Sequence, residues 1–233
     1  MLLALALLQA APAPSELRTF GDWIVGCDNG RACQAVALLH MDERQARVDA
    51  PSALVRRGMA GAPPPPPALP VVTSPRPTRT PPKRLATARV RQMLGREATV
   101  CDYAQDLHVE AFRLDARTSL VLASHPCGNG AYNLFSSAFT VDERGRARPA
   151  RFDAGGGMGE GAMPDHILVN ADWDAGARRL STFARGRGLG DCGTIQRYAW
   201  DGSRLRLVRQ EEMGECRGGT DYIATWRARV AER

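Results

Sequence analysis

The sequence predicts an α+β protein, mostly an antiparallel β-meander of four hairpins with one or two short helices and three disulfides. Six cysteines follow an opening that reads as an export signal. From residue 109 onward, short alternating apolar runs are separated by Asp- and Gly-containing turns. Helical spacing is confined to two short stretches before that point. With 233 residues and 44% hydrophobic content, the chain can bury one large core or two small ones.

Met1-Leu-Leu-Ala-Leu-Ala-Leu-Leu-Gln9 is apolar and leads into Ala10-Ala-Pro-Ala-Pro14, small residues of the kind signal peptidase accepts. Residues 1–13 are therefore expected to be a signal peptide and the mature protein to be periplasmic or secreted. The run is too short to span a bilayer as a mature helix, and no transmembrane segment is expected in the mature chain. Oxidising compartments preserve disulfides, and six cysteines allow fifteen connectivities. Cys27 and Cys33 stand 6 positions apart, Cys101 and Cys127 26, and Cys192 and Cys216 24; each pair brackets a turn or hairpin, which favours sequential pairing. Each of the two longer loops would remove roughly 3 to 4 kcal/mol of unfolded-chain entropy.

Residues 14–57 are read as a short hairpin followed by a helical segment. Phe20-Gly-Asp-Trp-Ile-Val-Gly-Cys27 alternates as a strand, Asp28-Asn-Gly30 is a tight turn, and Cys33 to Leu39 returns. Residues 41–57 are expected to be at least partly helical, with Pro51 starting or interrupting the helix. Residues 58–82, with Pro63 to Pro67 unbroken and five more prolines from Pro70 to Pro82, are expected to be an extended proline-rich linker unable to join a sheet.

Residues 83–233 are expected to be a disulfide-stapled β domain. Leu85, Ala88, Val90 and Leu94 suit one amphipathic helix over 84–94, ending at Gly95. Strand pairs then follow at 109–114 with 119–123, 132–141 with 147–152, 167–173 with 179–183, and 196–200 with 204–208. Gly128-Asn-Gly130 and Gly188-Leu-Gly190 each precede a strand, turn and strand, and lie near Cys127 and Cys192, which suggests a two-unit pseudo-repeat.

The net charge of +6 is local. Arg76, Arg79, Lys83, Arg84, Arg89, Arg91 and Arg96 lie in a stretch without acids, and the rest of the chain holds 24 basic against 25 acidic residues. No specific nucleic-acid binding is expected. Gly188-Leu-Gly-Asp-Cys-Gly193 matches the dinucleotide string G-x-G-x-x-G, but a β-rich segment follows where a phosphate-binding helix is required. The glycines instead suit a tight, disulfide-anchored turn or a loop displaying Arg185, Arg187 and Asp191. The best metal candidate is His125-Pro-Cys127 with help from distant cysteines, but an exported chain with an even cysteine count favours disulfides; His40, His108 and His166 lack zinc-site spacing, and the common hydrolase, protease and phosphate-loop strings are missing. No metal, cofactor or catalytic residue is assigned, and Asp172/Asp174 and Glu211/Glu212 are read as solvated pairs.

Phe20-Gly-Asp-Trp-Ile-Val-Gly-Cys-Asp-Asn29, Met41-Asp-Glu-Arg-Gln-Ala-Arg47, Pro126-Cys-Gly-Asn-Gly-Ala-Tyr-Asn133, Gly186-Arg-Gly-Leu-Gly-Asp-Cys-Gly193, Trp200-Asp-Gly202 and Glu215-Cys-Arg-Gly218 together resemble the bacterial domain-of-unknown-function family 1176. Its members are exported and uncharacterised. The opening Gly-Asp-Trp and Cys segment is also similar, over a shorter stretch, to invasion-associated locus B proteins. The resemblance implies compartment and fold style and supplies no reaction. This chain runs from Val36-Ala-Leu-Leu39 straight into His40-Met41, where family members carry a further small domain.

The functional expectation is an envelope or periplasmic protein that binds an unidentified partner or ligand without catalysis. Its site would be Tyr132 and Asn133 from one Gly-rich loop with Arg185, Arg187 and Asp191 from the other. The alternative is a cell-wall or glycan hydrolase using a carboxylate at or near Asp191 as general acid or base. A shared site requires the two loops to converge.

Overall fold

Turns built by Asp, Asn and Gly organise the chain into hairpins, which the computed structural model describes over residues 14–38, 47–49, 65–94, 107–125, 129–153, 164–219 and 221–233. Strands β1 (Arg18–Phe20), β2 (Trp23–Cys27), β3 (Cys33–Ala37) and β4 (Arg47–Asp49) form an antiparallel sheet in chain order. Cys27 stands opposite Cys33, and the two form a disulfide. Asp28 Oδ1 organises the turn by accepting from Gly30 N–H at 2.8 Å and Ala32 N–H at 2.9 Å. The left-handed residue there is Arg31, φ 61°, rather than Asn29 or Gly30. The helical expectation over 41–57 is corrected at Arg47–Asp49, which extends the sheet beside β3; the rest of that segment lies outside the described residues, as does the expected signal peptide.

The proline-rich segment also departs from expectation. β5 (Val71–Ser74) lies within 58–82 and pairs in parallel with β16 (Arg229–Glu232) at the C-terminus. The four residues between Pro70 and Pro75 contain no proline, so their N–H groups are free to join a ladder, and Val71-Val72-Thr73 is a β-branched run. Val72 packs on Ala199, Val208 and Val230. Farther on, Lys83 N–H donates to Ser119 Oγ at 2.8 Å, and Arg113 donates to the carbonyls of Thr80 and Pro81. These contacts strap residues 65–83 onto the β domain.

Helix α1 (Thr87–Leu94) forms within the expected span and buries Val90 and Leu94 against Val121, Phe139 and Val141. Those residues belong to a five-stranded antiparallel sheet made of β6 (Val109–Arg113), β7 (Thr118–Ser124), β8 (Phe135–Asp142), β9 (Ala147–Pro149) and β10 (Ile167–Val169). A second five-stranded antiparallel sheet follows strict chain order: β11 (Asp172–Asp174), β12 (Arg179–Arg185), β13 (Gly193–Trp200), β14 (Leu205–Met213) and β15 (Ile223–Arg227). All four expected hairpin turns are present. The expected strand 167–173, however, is broken at Asn170, whose φ of 45° lies in the left-handed region that Asn tolerates. β10 stays with β8, and β11 crosses to β12.

The two five-stranded sheets share a core in which Leu120, Leu122 and Leu168 meet Leu180, Tyr198, Leu205 and Leu207. Phe152 meets Tyr198 edge to face at 5.1 Å. Ile24, Val36 and Leu38 join Cys192, Met213, Tyr222 and Ile223 in a second cluster, so the N-terminal hairpin docks on the second sheet. Cys192 and Cys216 form a disulfide as expected. Two of the three expected bonds are thus seen, and the expected Cys101–Cys127 bond lies outside the described residues.

The contribution of β5 is testable. Val72→Asp would bury a carboxylate against the apolar face of Ala199 and Val208, and is expected to lower stability by about 3 kcal/mol in urea unfolding. Val71→Asp, at a side chain 50% exposed against 8% for Val72, is expected to change it by less than about 0.5 kcal/mol. Equal effects at both positions would mean that residues 71–74 only span.

Candidate functional site

The loop from Gly186 to Cys192 connects β12 to β13 and closes through Gly186 N–H to Cys192 O at 2.9 Å and Gly190 N–H to Arg187 O at 3.0 Å. Its glycines serve close approach. A Cβ on Gly193, φ 135°, would stand 2.1 Å from Ala184 O, and one on Gly186 would stand 2.6 Å from Cys192 Sγ. The G-x-G-x-x-G spacing therefore reflects a tight strand-to-strand turn seated on a disulfide.

Asp191 fastens this loop from inside. It is 2% exposed. Arg187 Nε donates to its Oδ1 at 2.7 Å, a second Arg187 nitrogen donates to Oδ2, and Gly218 N–H donates to Oδ2 at 2.6 Å. The bidentate Arg187 fork is the chief reason its carboxyl lies at about 2, opposed by burial and helped by Gly218. A carboxylate held so low, with its oxygens engaged, is ionised through the neutral range and suits neither general acid nor general base. Asp191 thus ties the 186–192 loop to the segment after Cys216, beside the Cys192–Cys216 bond. Tyr222 adds a third tie, its hydroxyl donating to Gly190 O at 3.0 Å, and burial pushes that hydroxyl up to about 12.

The other loop is folded by Asn129, which donates to His125 O at 2.9 Å and accepts from Phe135 N–H at 2.7 Å. The two loops converge. Asn133 Nδ2 donates to Arg185 O at 2.9 Å while its Oδ1 accepts from Arg185 N–H at 3.1 Å, so this side chain pairs with β12 as a neighbouring strand would. Tyr132 OH reaches Gly186 O at 3.4 Å, and its ring lies 3.4 Å from where a Cβ on Gly188 would stand. Asn170 sits between: its Oδ1 accepts from Leu134 N–H at 3.0 Å, and its Nδ2 lies 2.8 to 3.1 Å from Phe183 O, Tyr132 O and Asn133 Oδ1.

All five sequence-expected residues therefore meet at one junction, with different roles. Asn133 and Asp191 are engaged internally. Arg185 lies over the Phe183 ring at 5.0 Å. Arg187 and Tyr132 reach the surface, flanked in the chain by Leu189, 63% exposed, and Leu134, 55% exposed. Sequence reasoning missed Asn170, Gly218 and Tyr222; an Asn interrupting the apolar run Ile167-Leu-Val169 was the one available signal. Elsewhere, Asp174 accepts from Ala177 N–H in a turn, and Glu211 and Glu212 are engaged by Arg209 and by Gln210 and Thr225. Among the described residues, no three His, Cys, Asp or Glu side chains stand close enough to hold a metal ion.

Residues 35–229 match the family described as protein of unknown function, DUF1176. The chain belongs to that family. The uncharacterized protein YpfG of Escherichia coli (strain K12) is 32% identical over 192 residues, which cover 77% of this chain and 53% of YpfG. The chain thus spans about half the length of that relative. No solved structure matches. Both junction loops, Asn170 and the Cys192–Cys216 bond fall inside the span matched to DUF1176.

Asp191 makes a pH prediction. A carboxyl held below its ordinary value of 3.8 contributes stability that is full above that value and lost as pH falls toward about 2. Asp191→Asn is expected to destabilise by about 2 kcal/mol at neutral pH. It should also flatten the fall in stability between pH 4 and pH 2, measured by denaturant unfolding across that range. An Asn variant with the wild-type acid profile would place the titration elsewhere.

Proposed function

We propose that this protein is an exported, non-enzymatic binding module of the cell envelope and that the junction of the two loops is its contact surface. The convergence of Tyr132 and Asn133 with Arg185 and Arg187 on one junction carries this reading. The loop backbones are fixed by side-chain hydrogen bonds and a disulfide, so binding through them would cost little ordering entropy. Of the groups left at the surface, Tyr132 and the outer edge of Arg187 are of the kind that anchors protein interfaces, and Leu134 and Leu189, each two positions along the chain, add exposed apolar area. The engaged state of Asp191 favours binding over acid-base hydrolysis. Disulfides fit an oxidising compartment, and among the described residues no helix is long and apolar enough to cross a membrane. The chemistry expected of the partner is a protein surface with an apolar centre and carboxylates at its rim, facing Leu189 and Arg187.

The test uses the mature chain as bait in envelope extract, with covalent crosslinking. Leu134→Glu combined with Leu189→Glu should leave the unfolding midpoint within about 1 kcal/mol of wild type, because both side chains are exposed. The same double variant should recover the crosslinked partner at least about tenfold less well. Undiminished recovery would move the contact surface away from this junction.

A further inference from the structure

The second sheet carries an arrangement that folding alone disfavours. Across β13, β14 and β15, Arg197 stands opposite Arg209, and Arg209 stands opposite Arg227. Like charges directly opposite on neighbouring strands destabilise a sheet. Two register shifts flank Arg209. Arg197 pairs with Arg209 and Tyr198 with Leu207, which leaves Val208 as an extra residue; Gln210 pairs with Trp226 and Glu211 with Ala224, which leaves Thr225 extra. Such bulges re-aim side chains and recur next to functional sites.

The three arginines and Arg179, from the start of β12, line a cleft of about 360 Å³. Leu69, Val208, Ala228 and Val230 form its apolar wall. Two of those, Leu69 and Val230, come from the proline-rich strap and its β16 partner, so the parallel pairing builds one side of the cleft. Among the described residues, two acids make ion pairs with these arginines. Glu211 accepts from Arg209 at 2.7 Å and lies 3.5 Å from Arg197, and the buried Asp28 accepts from Arg227. Glu232, paired with Arg178 at 3.6 Å, and Asp174 act on Arg179 only at longer range. Arg179 itself donates to the carbonyls of Ala177 and Arg178. Among the described residues, three of these four guanidiniums thus share ion pairs with two carboxylates, Glu211 and Asp28. An ordinary solvated arginine face would have no apolar wall.

We propose that this cleft is a binding site for a small organic phosphate, its phosphate taken by Arg179, Arg197 and Arg209 and its carbon body laid on Leu69, Val208 and Val230. The excess of guanidiniums over the carboxylates paired with them suits an anion, and guanidinium forks fit phosphate oxygens in pairs. The volume suits a small molecule, and the apolar wall favours an ester over inorganic phosphate. The cleft and the loop junction stand at opposite ends of β12, at Arg179 and Arg185.

Binding is measured by isothermal titration of the full chain with n-butyl phosphate, inorganic phosphate and butyrate, and by flotation with vesicles containing phosphatidic acid. Butyl phosphate should bind best, inorganic phosphate at least several-fold more weakly, and butyrate not at all. Arg197→Gln and Arg179→Gln should each weaken butyl phosphate at least tenfold. Without ligand, Arg197→Gln should leave the unfolding midpoint unchanged or raise it, because it removes one opposed charge. Flotation lost in the same variants would place the phosphate on a lipid headgroup; no flotation would place it on a soluble ester. Binding that is equal for all three anions, or unchanged in both Gln variants, overturns the proposal. Leu134→Glu with Leu189→Glu should leave this titration intact, so failure at one site is distinguishable from failure at the other.

Discussion

The side chain of Asn170 is the contact on which the arrangement of the loop junction depends. The chain leaves one five-stranded sheet and enters the other at this residue, in a left-handed conformation that a β-branched residue would resist. An edge strand that simply ran straight would have kept Trp173 beside β8 and left the second sheet without its first strand. Because the amide is both donor and acceptor, it binds backbone at Leu134, just before β8 of one sheet, and at Phe183 in β12 of the other. The two loops are thereby brought within hydrogen-bonding distance, and Asn133 completes the seam against Arg185.

Around that seam, rigidity comes from polar contacts and a covalent bond. Asp191, Tyr222 and the Cys192–Cys216 disulfide all hold the 186–192 loop from its inner side. The chain uses a strongly perturbed carboxylate to hold a loop still, which is why this acid is legible as a functional candidate by residue type and yet serves position. The outer side of the loop is left to Leu189 and Arg187. A surface so constrained can discriminate between partners at low entropic cost.

Much of the fold was legible because its signals are local. Asp115, Asp142, Asp174 and Asp201 each accept from a backbone N–H two or three residues onward, so the turns can be read from adjacent residues. The helix was legible from the spacing of Val90 and Leu94. The features that were not legible are set by pairing over long separations. The Val71–Ser74 strand finds its partner at Arg229–Glu232, and prolines on either side disguise four residues fully able to pair. The opposed arginines exist only once the register of three strands is fixed. At the junction, residue types and loop placement could be read from the glycines and cysteines, whereas Asn170, Gly218 and Tyr222 arrive from elsewhere in the chain.

The central claim is that one amide side chain couples the two sheets and thereby fixes the loop junction. Native-state hydrogen exchange of the Leu134 and Arg185 amides, in wild type and in Asn170→Ala, tests it most directly. These two N–H groups donate to side-chain oxygens of Asn170 and Asn133. Both amides should be strongly protected in wild type and lose protection in the variant, while Tyr198 and Leu207 in the core stay protected. Rapid exchange of Arg185 in wild type, or protection at both amides that survives removal of the Asn170 side chain, would contradict it.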